Sequence, residues 1–263
     1  MLIIKIGGGN DLNLAAIARD LATLNDKFII VHGANALRDE LAKKLNIEKK
    51  IVTSLSGYDS VLSDENTIDL MMMAYAGLKN KRIVELLQQH GINAVGLSGL
   101  DGKVIQGKRN SGIKVRKNGK TLLLRDLSGK PKTINRHLLD MLLENGYTPV
   151  LSVPLIDENN FAINSENDDI VALLQCELKA DKIISLIEAP GFLMDKNDPS
   201  SRVPNMSKTQ LATIEQNVEG RMKRKILALR KLFDGGYTTV FLSDGRTEHP
   251  ILDALEGKGT IIT

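Results

Sequence analysis

Short apolar runs recur along the chain, and segments of helical period separate many of them. The first run, 2–6, contains one lysine, Lys5, and continues into Gly7-Gly8-Gly9. A second run, 27–31, ends in His32-Gly33-Ala34-Asn35. Continuous apolar runs of this length are typical of strands buried on both faces of a parallel sheet. Their alternation with helices predicts an α/β fold, a three-layer αβα sandwich around a mostly parallel central sheet.

Lys5 stands one residue before the turn at the carboxyl end of its strand. Glycines in such a turn let backbone N–H groups approach an anion closely. A lysine in a buried strand needs a partner of opposite charge, and a phosphate is suited to that role. The alternative is an edge-strand lysine followed by a flexible turn. Because the lysine precedes the glycines, the segment is not a Walker A loop.

The second apolar run repeats this arrangement, with a small-residue turn ahead of a predicted helix. A helix N-terminus carries partial positive charge, so an anion or a carboxyl group could bind there. His32 closes the strand and is either a catalytic group or a structural hydrogen-bonding group. Farther along, we expect an irregular polar segment at 49–65 and helices at 67–76 and 79–89.

Length and composition are those of an ordinary globular protein. Of the 263 residues, 42% are hydrophobic and 25% are charged, and no apolar stretch approaches the ~20 residues that span a bilayer. The single cysteine, Cys176, excludes an intrachain disulfide, and its apolar helical surroundings predict a buried structural thiol. We expect a cytoplasmic protein with two lobes, 1–160 and 161–263, that share one continuous sheet.

Positive charge is concentrated in one stretch, 102–136. It holds eleven lysine and arginine side chains and a single acid, Asp126, whereas the rest of the chain has a net charge of −7. Two alternating segments, 113–116 and 121–124, flank Asn118-Gly119 and predict a β-hairpin. The basic stretch is either a docking surface for an acidic partner or a solvated hairpin without one. Aromatic residues make up 3% of the chain, so a nucleic-acid partner is not expected.

Three groups of residues carry candidate chemistry. They are Lys5 with its glycines, the acidic-amide cluster 164–169 and the cationic run 223–225. In a parallel α/β sheet, ligands bind at the carboxyl ends of the strands, where such groups could meet. Two cationic sites, glycine turns and a carboxylate suit phosphoryl transfer, which needs positioning and neutralisation of negative charge. A dinucleotide-binding enzyme is the alternative, although no G-x-G-x-x-G follows a strand.

Three longer segments carry a specific resemblance to known proteins. They are 77–82 (Gly-Leu-Lys-Asn-Lys-Arg), 95–102 (Val-Gly-Leu-Ser-Gly-Leu-Asp-Gly) and 220–225 (Gly-Arg-Met-Lys-Arg-Lys). Over essentially its whole length the chain resembles the amino acid kinase family and, within it, the acetylglutamate kinase branch. It looks most similar to kinases that act on α-aminoadipate or glutamate attached to a small acidic amino-group carrier protein in lysine biosynthesis. The resemblance implies the amino acid kinase fold, with the basic hairpin as an insertion, and a homodimer.

The resemblance also implies roles for individual residues. Lys5 and Lys225 would neutralise the transferring phosphoryl group, and Asp168 would orient both lysines. ATP with Mg²⁺ would be the donor, bound mainly by the second lobe, without a metal site built from protein side chains. The product would be an acyl phosphate. Backbone approach to the phosphates would come from Gly7 and Gly8, and substrate binding from Gly33, Ala34, Asn35 and Asn164.

Three positions depart from the family pattern. Ala34 stands where a second glycine is usual, and Glu188 stands where an aspartate is usual. Val61 replaces an arginine that binds the substrate carboxylate, and loss of a buried bidentate arginine removes about 1.5–3 kcal/mol of binding. The predicted catalytic residues are retained, so the departures bear on the identity of the acceptor.

Three hypotheses for the function stay open. The accepting carboxylate belongs to carrier-linked aminoadipate or glutamate, or it belongs to free N-acetyl-L-glutamate of arginine biosynthesis. In the third hypothesis the chain is a non-catalytic binding or regulatory protein on this scaffold. A free amino acid needs one or two cations, whereas an acidic carrier would use the whole basic stretch, with Arg109, Lys114 and Arg116 as leading contacts. Acetylglutamate kinases that are inhibited by arginine carry an extra helix before their first strand. In this chain the first strand begins at Leu2, so we do not expect inhibition by that route.

Overall fold

The structure is a computed structural model that describes residues 1–48, 50–53, 55, 59–117, 120–195, 197–218 and 220–263. Several of its strands follow the apolar runs of the sequence, and others lie in polar segments. They are β1 (Leu2–Ile6), β2 (Phe28–His32), β3 (Ile51–Thr53), β4 (Asp59–Val61), β5 (Ala94–Ser98), β6 (Ile105–Arg109), β7 (Ile113–Lys117), β8 (Lys120–Leu124), β9 (Gly129–Ile134), β10 (Thr148–Ser152), β11 (Leu155–Ile156), β12 (Ala162–Ile163), β13 (Lys182–Ile187), β14 (Asn205–Met206), β15 (Thr239–Asp244) and β16 (Thr260–Ile262).

Several helices begin at a capping side chain. The Asn13 side chain accepts the N–H of Ala16 at 3.1 Å, and Ser207 forms a capping box with Gln210. The helices are α1 (Leu14–Leu21), α2 (Asn35–Lys44), α3 (Glu65–Met71), α4 (Asn80–Gln89), α5 (Arg136–Glu144), α6 (Asn167–Leu178), α7 (Lys208–Gln216), α8 (Gly220–Lys231) and α9 (Pro250–Leu255), and a π-helix (Met72–Lys79) joins α3 to α4.

One large sheet joins the first and second halves of the chain. Among the described residues its eight strands follow the order β14-β16-β15-β13-β1-β2-β10-β5. Neighbouring strands are parallel except β15 and β16. β1 lies in the interior, with Lys5 in register with Val31 of β2 and Ser185 of β13. The predicted α/β fold with a mostly parallel central sheet is confirmed.

Helices cover both faces of this sheet. Ile4 and Ile30 belong to one buried cluster, together with side chains of α1 and α9. Ile3 and Val31 belong to a second cluster, which includes side chains of α6. Because successive strand residues point to opposite faces, Lys5 lies on the Ile3 face, toward α6. This is the predicted three-layer αβα sandwich, and it decides which helix meets the lysine.

Three local predictions are wrong. The segment 49–65, expected to be irregular, contains the short antiparallel pair β3 and β4. The helices expected at 67–76 and 79–89 are continuous, because the π-helix carries the chain through Gly77. Tyr75 in that π-helix is buried, and tertiary packing of this kind overrides the low helix propensity of a single glycine. The thiol of Cys176 is half-buried rather than buried.

The basic stretch forms strands, as expected. β6 and β9 pair in a smaller sheet with β11 and β12, and β7 and β8 form the predicted basic hairpin. Val115 is buried on one face of β7, whereas Lys114 and Arg116 are exposed. The predicted turn residues Asn118-Gly119 lie outside the described residues. In the described part of the chain no helix is both long and apolar enough to cross a bilayer.

Candidate active site

Lys5 and Asp168 form the centre of the candidate site. Asp168 stands in the first turn of α6, where the positive end of the helix dipole favours a carboxylate. The Lys5 ammonium donates a hydrogen bond to Asp168 Oδ1. The lysine side chain is 18% exposed and the aspartate side chain 44%. The pair therefore offers a cation that is partly removed from water to an incoming anion.

A cavity of about 360 Å³ opens beside this ion pair. Lys5, Asp168 and Lys225 line it together, with Lys225 on the exposed side of α8. A cavity lined by apolar side chains and two lysines suits a nucleotide, which has a flat ring and a charged phosphate chain. Apolar side chains supply most of the remaining wall: Val171, Ile183, Ile187, Phe192, Leu193, Leu229, Leu232 and Leu242.

Asp169 connects three elements next to the cavity. It accepts a hydrogen bond from Lys130 of β9 at 2.6 Å and another from Lys231 of α8 at 2.8 Å. Burial would raise the pKa of Asp169, but the two lysines outweigh burial and hold the pKa below its usual range. Lys231 and Lys225 share α8, so Asp169 ties the helix of Lys225 to the helix of Asp168. The sequence pattern gave no sign of this link, because the partners lie far apart along the chain.

The two glycine turns pack directly against each other. A Cβ on Gly33 would lie 2.8 Å from both Gly8 Cα and Gly8 N, so the approach requires glycine. The N–H of Gly7 donates to Leu186 O at 3.0 Å, and that of Gly33 donates to Ile6 O at 2.9 Å. These two amides are therefore used within the fold. The N–H groups of Gly8 and Asn35 have no acceptor within the described residues, which leaves them available to an anion.

Glu188 fills the space beside the third glycine. A Cβ on Gly9 would lie 1.9 Å from Glu188 Oε1, and the N–H of Asp11 donates to the same oxygen at 2.9 Å. Glu188 also lines the cavity of Lys5. The glutamate that departs from the family pattern thus connects the chain after the glycine turn, at Asp11, to the end of β13.

Asn164 lies apart from the cavity of Lys5. Its Nδ2 donates to Ser63 Oγ at 3.1 Å, and its backbone N–H donates to Leu127 O at 2.7 Å. Ser63 in turn donates its N–H to Asp126 Oδ1 at 2.9 Å. The buried Asp126, which the sequence showed only as a lone acid among basic residues, therefore holds the loop before α3 next to Asn164.

His32 is a structural group in this fold. Burial is the main cause that lowers its pKa to about 4, so the ring is neutral at physiological pH. Asn80 Nδ2 lies 3.1 Å from His32 Nε2 and also 3.0 Å from Val150 O. Since Nε2 accepts, the proton is on Nδ1, which lies 3.3 Å from Gly33 O. Of the two roles left open by the sequence, the geometry supports the hydrogen-bonding one.

The predicted docking residues lie on two strands that are consecutive in sequence but belong to different sheets. Arg109 of β6 is half-buried and donates from Nε to Asp126 O at 3.1 Å, whereas Lys114 and Arg116 of β7 are exposed. Two of the three predicted contacts are thus accessible, and the third also holds the loop of Asp126. The side chain of Val61, which bears on acceptor identity, lies outside the described residues.

Comparison with known proteins identifies the family. The model of the amino acid kinase family matches residues 1–243. The chain belongs to this family. It is therefore a kinase, and the predicted family resemblance is confirmed.

Individual relatives cover the whole chain. The kinase is 38% identical to the "[LysW]-aminoadipate kinase" of Thermus thermophilus, over 100% of both chains. It is 29% identical to the "Acetylglutamate kinase" of Methanopyrus kandleri, also over 100% of both. Among solved structures, the carbamate kinase of Giardia matches with a TM-score of 0.68 at 15% identity, covering 100% of this chain and 98% of the other. The last likeness concerns the fold and confirms the amino acid kinase fold.

Proposed function

We propose that this kinase transfers the γ-phosphoryl group of ATP to the side-chain carboxylate of aminoadipate or glutamate whose amino group is attached to an acidic carrier protein. The observation that carries the proposal is the convergence of Lys5, Asp168 and Lys225 on one cavity next to paired glycine turns. The similarity to a [LysW]-aminoadipate kinase supports a carrier-linked acceptor.

The chemistry needs little from the protein beyond positioning and charge. An oxygen of the ionised acceptor carboxylate attacks the γ-phosphorus, and the bond to the β,γ-bridging oxygen breaks, so that an acyl phosphate and ADP form. No proton has to move, since the carboxylate is already the nucleophile. Lys5 and Lys225 neutralise the charge that spreads over the phosphoryl oxygens, and Asp168 keeps Lys5 in place. The amides of Gly8 and Asn35 approach the same oxygens.

The nucleotide fits the second lobe. The apolar wall of the cavity would take the adenine ring, with the phosphates directed toward Lys5 and Lys225. Within the described residues no three His, Cys, Asp or Glu side chains are grouped to hold a metal ion. Mg²⁺ would arrive on the ATP phosphates and keep most of its water.

The basic hairpin would dock the carrier. Lys114 and Arg116 are exposed on β7, and Arg109 lies on β6. An array of cations on strands steers an acidic partner and sets its orientation. Free acetylglutamate is the second candidate acceptor, supported by the similarity to an acetylglutamate kinase.

Kinetics with three acceptors test this proposal. ADP release is measured with carrier-linked aminoadipate, carrier-linked glutamate and free acetylglutamate. We expect the highest kcat/KM with a carrier-linked acceptor. Efficient turnover of free acetylglutamate alone would favour the second candidate, and no turnover with any acceptor would favour a binding protein.

Charge reversal tests the docking surface. In the triple variant Arg109→Glu, Lys114→Glu and Arg116→Glu, kcat/KM for the carrier-linked acceptor should fall by at least about tenfold at low salt, and the loss should shrink at high salt. A matched control reverses Lys27 and Lys182, which are exposed at the amino-terminal edge of the sheet. An unchanged kcat/KM in the triple variant would contradict docking at the hairpin.

We further propose that residues 1–160 bind the acceptor and residues 161–263 bind the nucleotide. Apart from Lys5, every residue that lines the cavity belongs to the second range. A homodimer stays a prediction, for which light scattering at micromolar concentration is the measurement.

A further inference from the structure

The π-helix Met72–Lys79 presents one buried polar group to the candidate site. A π-helical segment widens the backbone turn, and such segments occur often at functional sites. Tyr75 lies in this segment and is 3% exposed. Its hydroxyl donates a hydrogen bond to Asn35 Oδ1 at the first position of α2. The tyrosine thus reaches from the interior to the turn that packs against Gly8.

The direction of this hydrogen bond is set by the tyrosine. Burial is the main cause that raises the pKa of Tyr75 to about 12, so the hydroxyl keeps its proton at physiological pH. Within the described residues Asn35 Oδ1 is the acceptor of that proton. An amide that accepts through its oxygen must direct its NH₂ group away from the hydroxyl.

The remaining amide group lies at the glycine turn. A Cβ on Gly8 would be 3.2 Å from Asn35 Cγ and 2.8 Å from Asn35 N, so backbone and side chain of Asn35 both border Gly8. Asn35 is exposed, and its Nδ2 donates to no acceptor within the described residues. An accessible side-chain donor therefore stands beside the free backbone amides of Gly8 and Asn35.

We propose that Asn35 Nδ2 donates a hydrogen bond to the transferring phosphoryl group and that Tyr75 is the positioning residue that holds the amide in that orientation. This inference rests on the proposed phosphoryl transfer. It gives Asn35 a role at the transferred group itself, beyond the general substrate contact that the sequence predicted.

The alternative is a contact that only stabilises the fold, in which Tyr75 anchors α2 to the π-helix. The two readings differ in how the residues depend on each other. If Tyr75 acts through the amide, its hydroxyl has no function once the amide is gone. If Tyr75 acts on stability, its hydroxyl contributes whether or not Asn35 is present.

A double-mutant cycle in the full-length kinase separates them. Asn35→Ala should lower kcat about 100-fold with little change in KM for ATP, because the donor acts where charge develops. Tyr75→Phe, which removes only the hydroxyl, should lower kcat about tenfold. The double variant should match Asn35→Ala. Tyr147→Phe, which removes a phenolic hydroxyl elsewhere on the surface, is the control and should leave kcat unchanged.

Additive losses of kcat in the double variant, or full activity of Asn35→Ala, would overturn the inference. Thermal unfolding of each variant is recorded so that a loss of folded protein is not counted as a loss of kcat.

A binding measurement keeps the inference testable without an acceptor. The affinities for AMP-PNP and ADP are compared by calorimetry, since the two nucleotides differ in the terminal phosphoryl group. Asn35→Ala should weaken AMP-PNP binding about fivefold more than ADP binding. If the wild type turns over no acceptor, the proposed function fails, and the ratio of the AMP-PNP and ADP affinities then tests the role of Asn35 by itself. The same ratio in Asn35→Ala and in the wild type would overturn that role.

Discussion

Lys5 and Lys225 line the same cavity, but the protein positions them in different ways. Lys5 is on an interior strand with parallel neighbours on both sides, and its side chain is 18% exposed. Lys225 is exposed on α8, a helix that packs mainly against α7 and α6. Sheet register places the backbone of the first lysine, and Asp168 of α6 holds its ammonium group. The second depends on contacts between helices, which include the ion pairs of Lys231 with Asp169 of α6 and of Arg230 with Glu215 of α7.

The largest expected effect tests this difference directly. Lys5→Met should lower kcat about 1000-fold and Lys225→Met about 100-fold, because a partly buried cation interacts more strongly with the developing charge than a solvated one. Both variants are assayed with the best acceptor and checked for folding by thermal unfolding. A larger loss at Lys225 would reverse the comparison.

The next effect concerns the link that positions α8. Asp169→Asn should lower kcat about fivefold and the free energy of unfolding by about 2 kcal/mol, since two charged hydrogen bonds are weakened. Asp253→Asn is the matched control: Asp253 also binds a lysine, Lys258, at 2.6 Å, but on α9. This control should affect stability alone. Equal kcat losses in the two variants would show that Asp169 does not position the site.

The same residue predicts a dependence on pH. The pKa of Asp169 is lower in the folded chain than in the unfolded one, so its stabilisation is present above the ordinary aspartate pKa and is lost as pH falls through the lowered value. Between about pH 5 and pH 2, the free energy of unfolding should therefore fall more steeply in the wild type than in Asp169→Asn. Denaturant titrations across that range provide the measurement, and parallel curves would contradict it.

The smallest expected effect on kcat concerns His32, the last residue of β2. Its pKa falls from 6.5 to about 4 on folding, so the stability that depends on the neutral ring is present above pH 6.5 and is lost as pH falls toward 4. His32→Gln should flatten this loss while changing kcat less than about threefold at neutral pH. A kcat–pH profile with an inflection that disappears in His32→Gln would instead assign a catalytic role to the histidine.

Much of the fold followed from patterns of short range. The apolar runs predicted the buried parallel strands, and the Asn118-Gly119 pair predicted the hairpin of β7 and β8. Both signals depend on the immediate neighbours of each residue. The break expected between the helices at 67–76 and 79–89 was wrong, because a π-helix with a buried Tyr75 continues the chain there.

The candidate site was predictable to the extent that its residues close strands or begin helices. Lys5, Asp168 and Lys225 could be named because ligands bind at the carboxyl ends of parallel strands and because the family resemblance supplied their roles. The sequence placed Asp169 in the acidic-amide cluster but did not predict its lysine partners, and it gave no sign of a role for Tyr75, since a tyrosine among methionines looks like an ordinary core residue.

By itself the sequence predicted the layered α/β architecture, because hydrophobic period and turn chemistry act between near neighbours, and its motifs carried the resemblance to the kinase family. Only the tertiary structure decided which polar groups meet across the sheet. The bonds from Lys130 and Lys231 to Asp169, and from Tyr75 to Asn35, join residues far apart in sequence. Side-chain hydrogen bonds act over about 3 Å, so such pairs exist only once strand register and helix packing have brought their elements together.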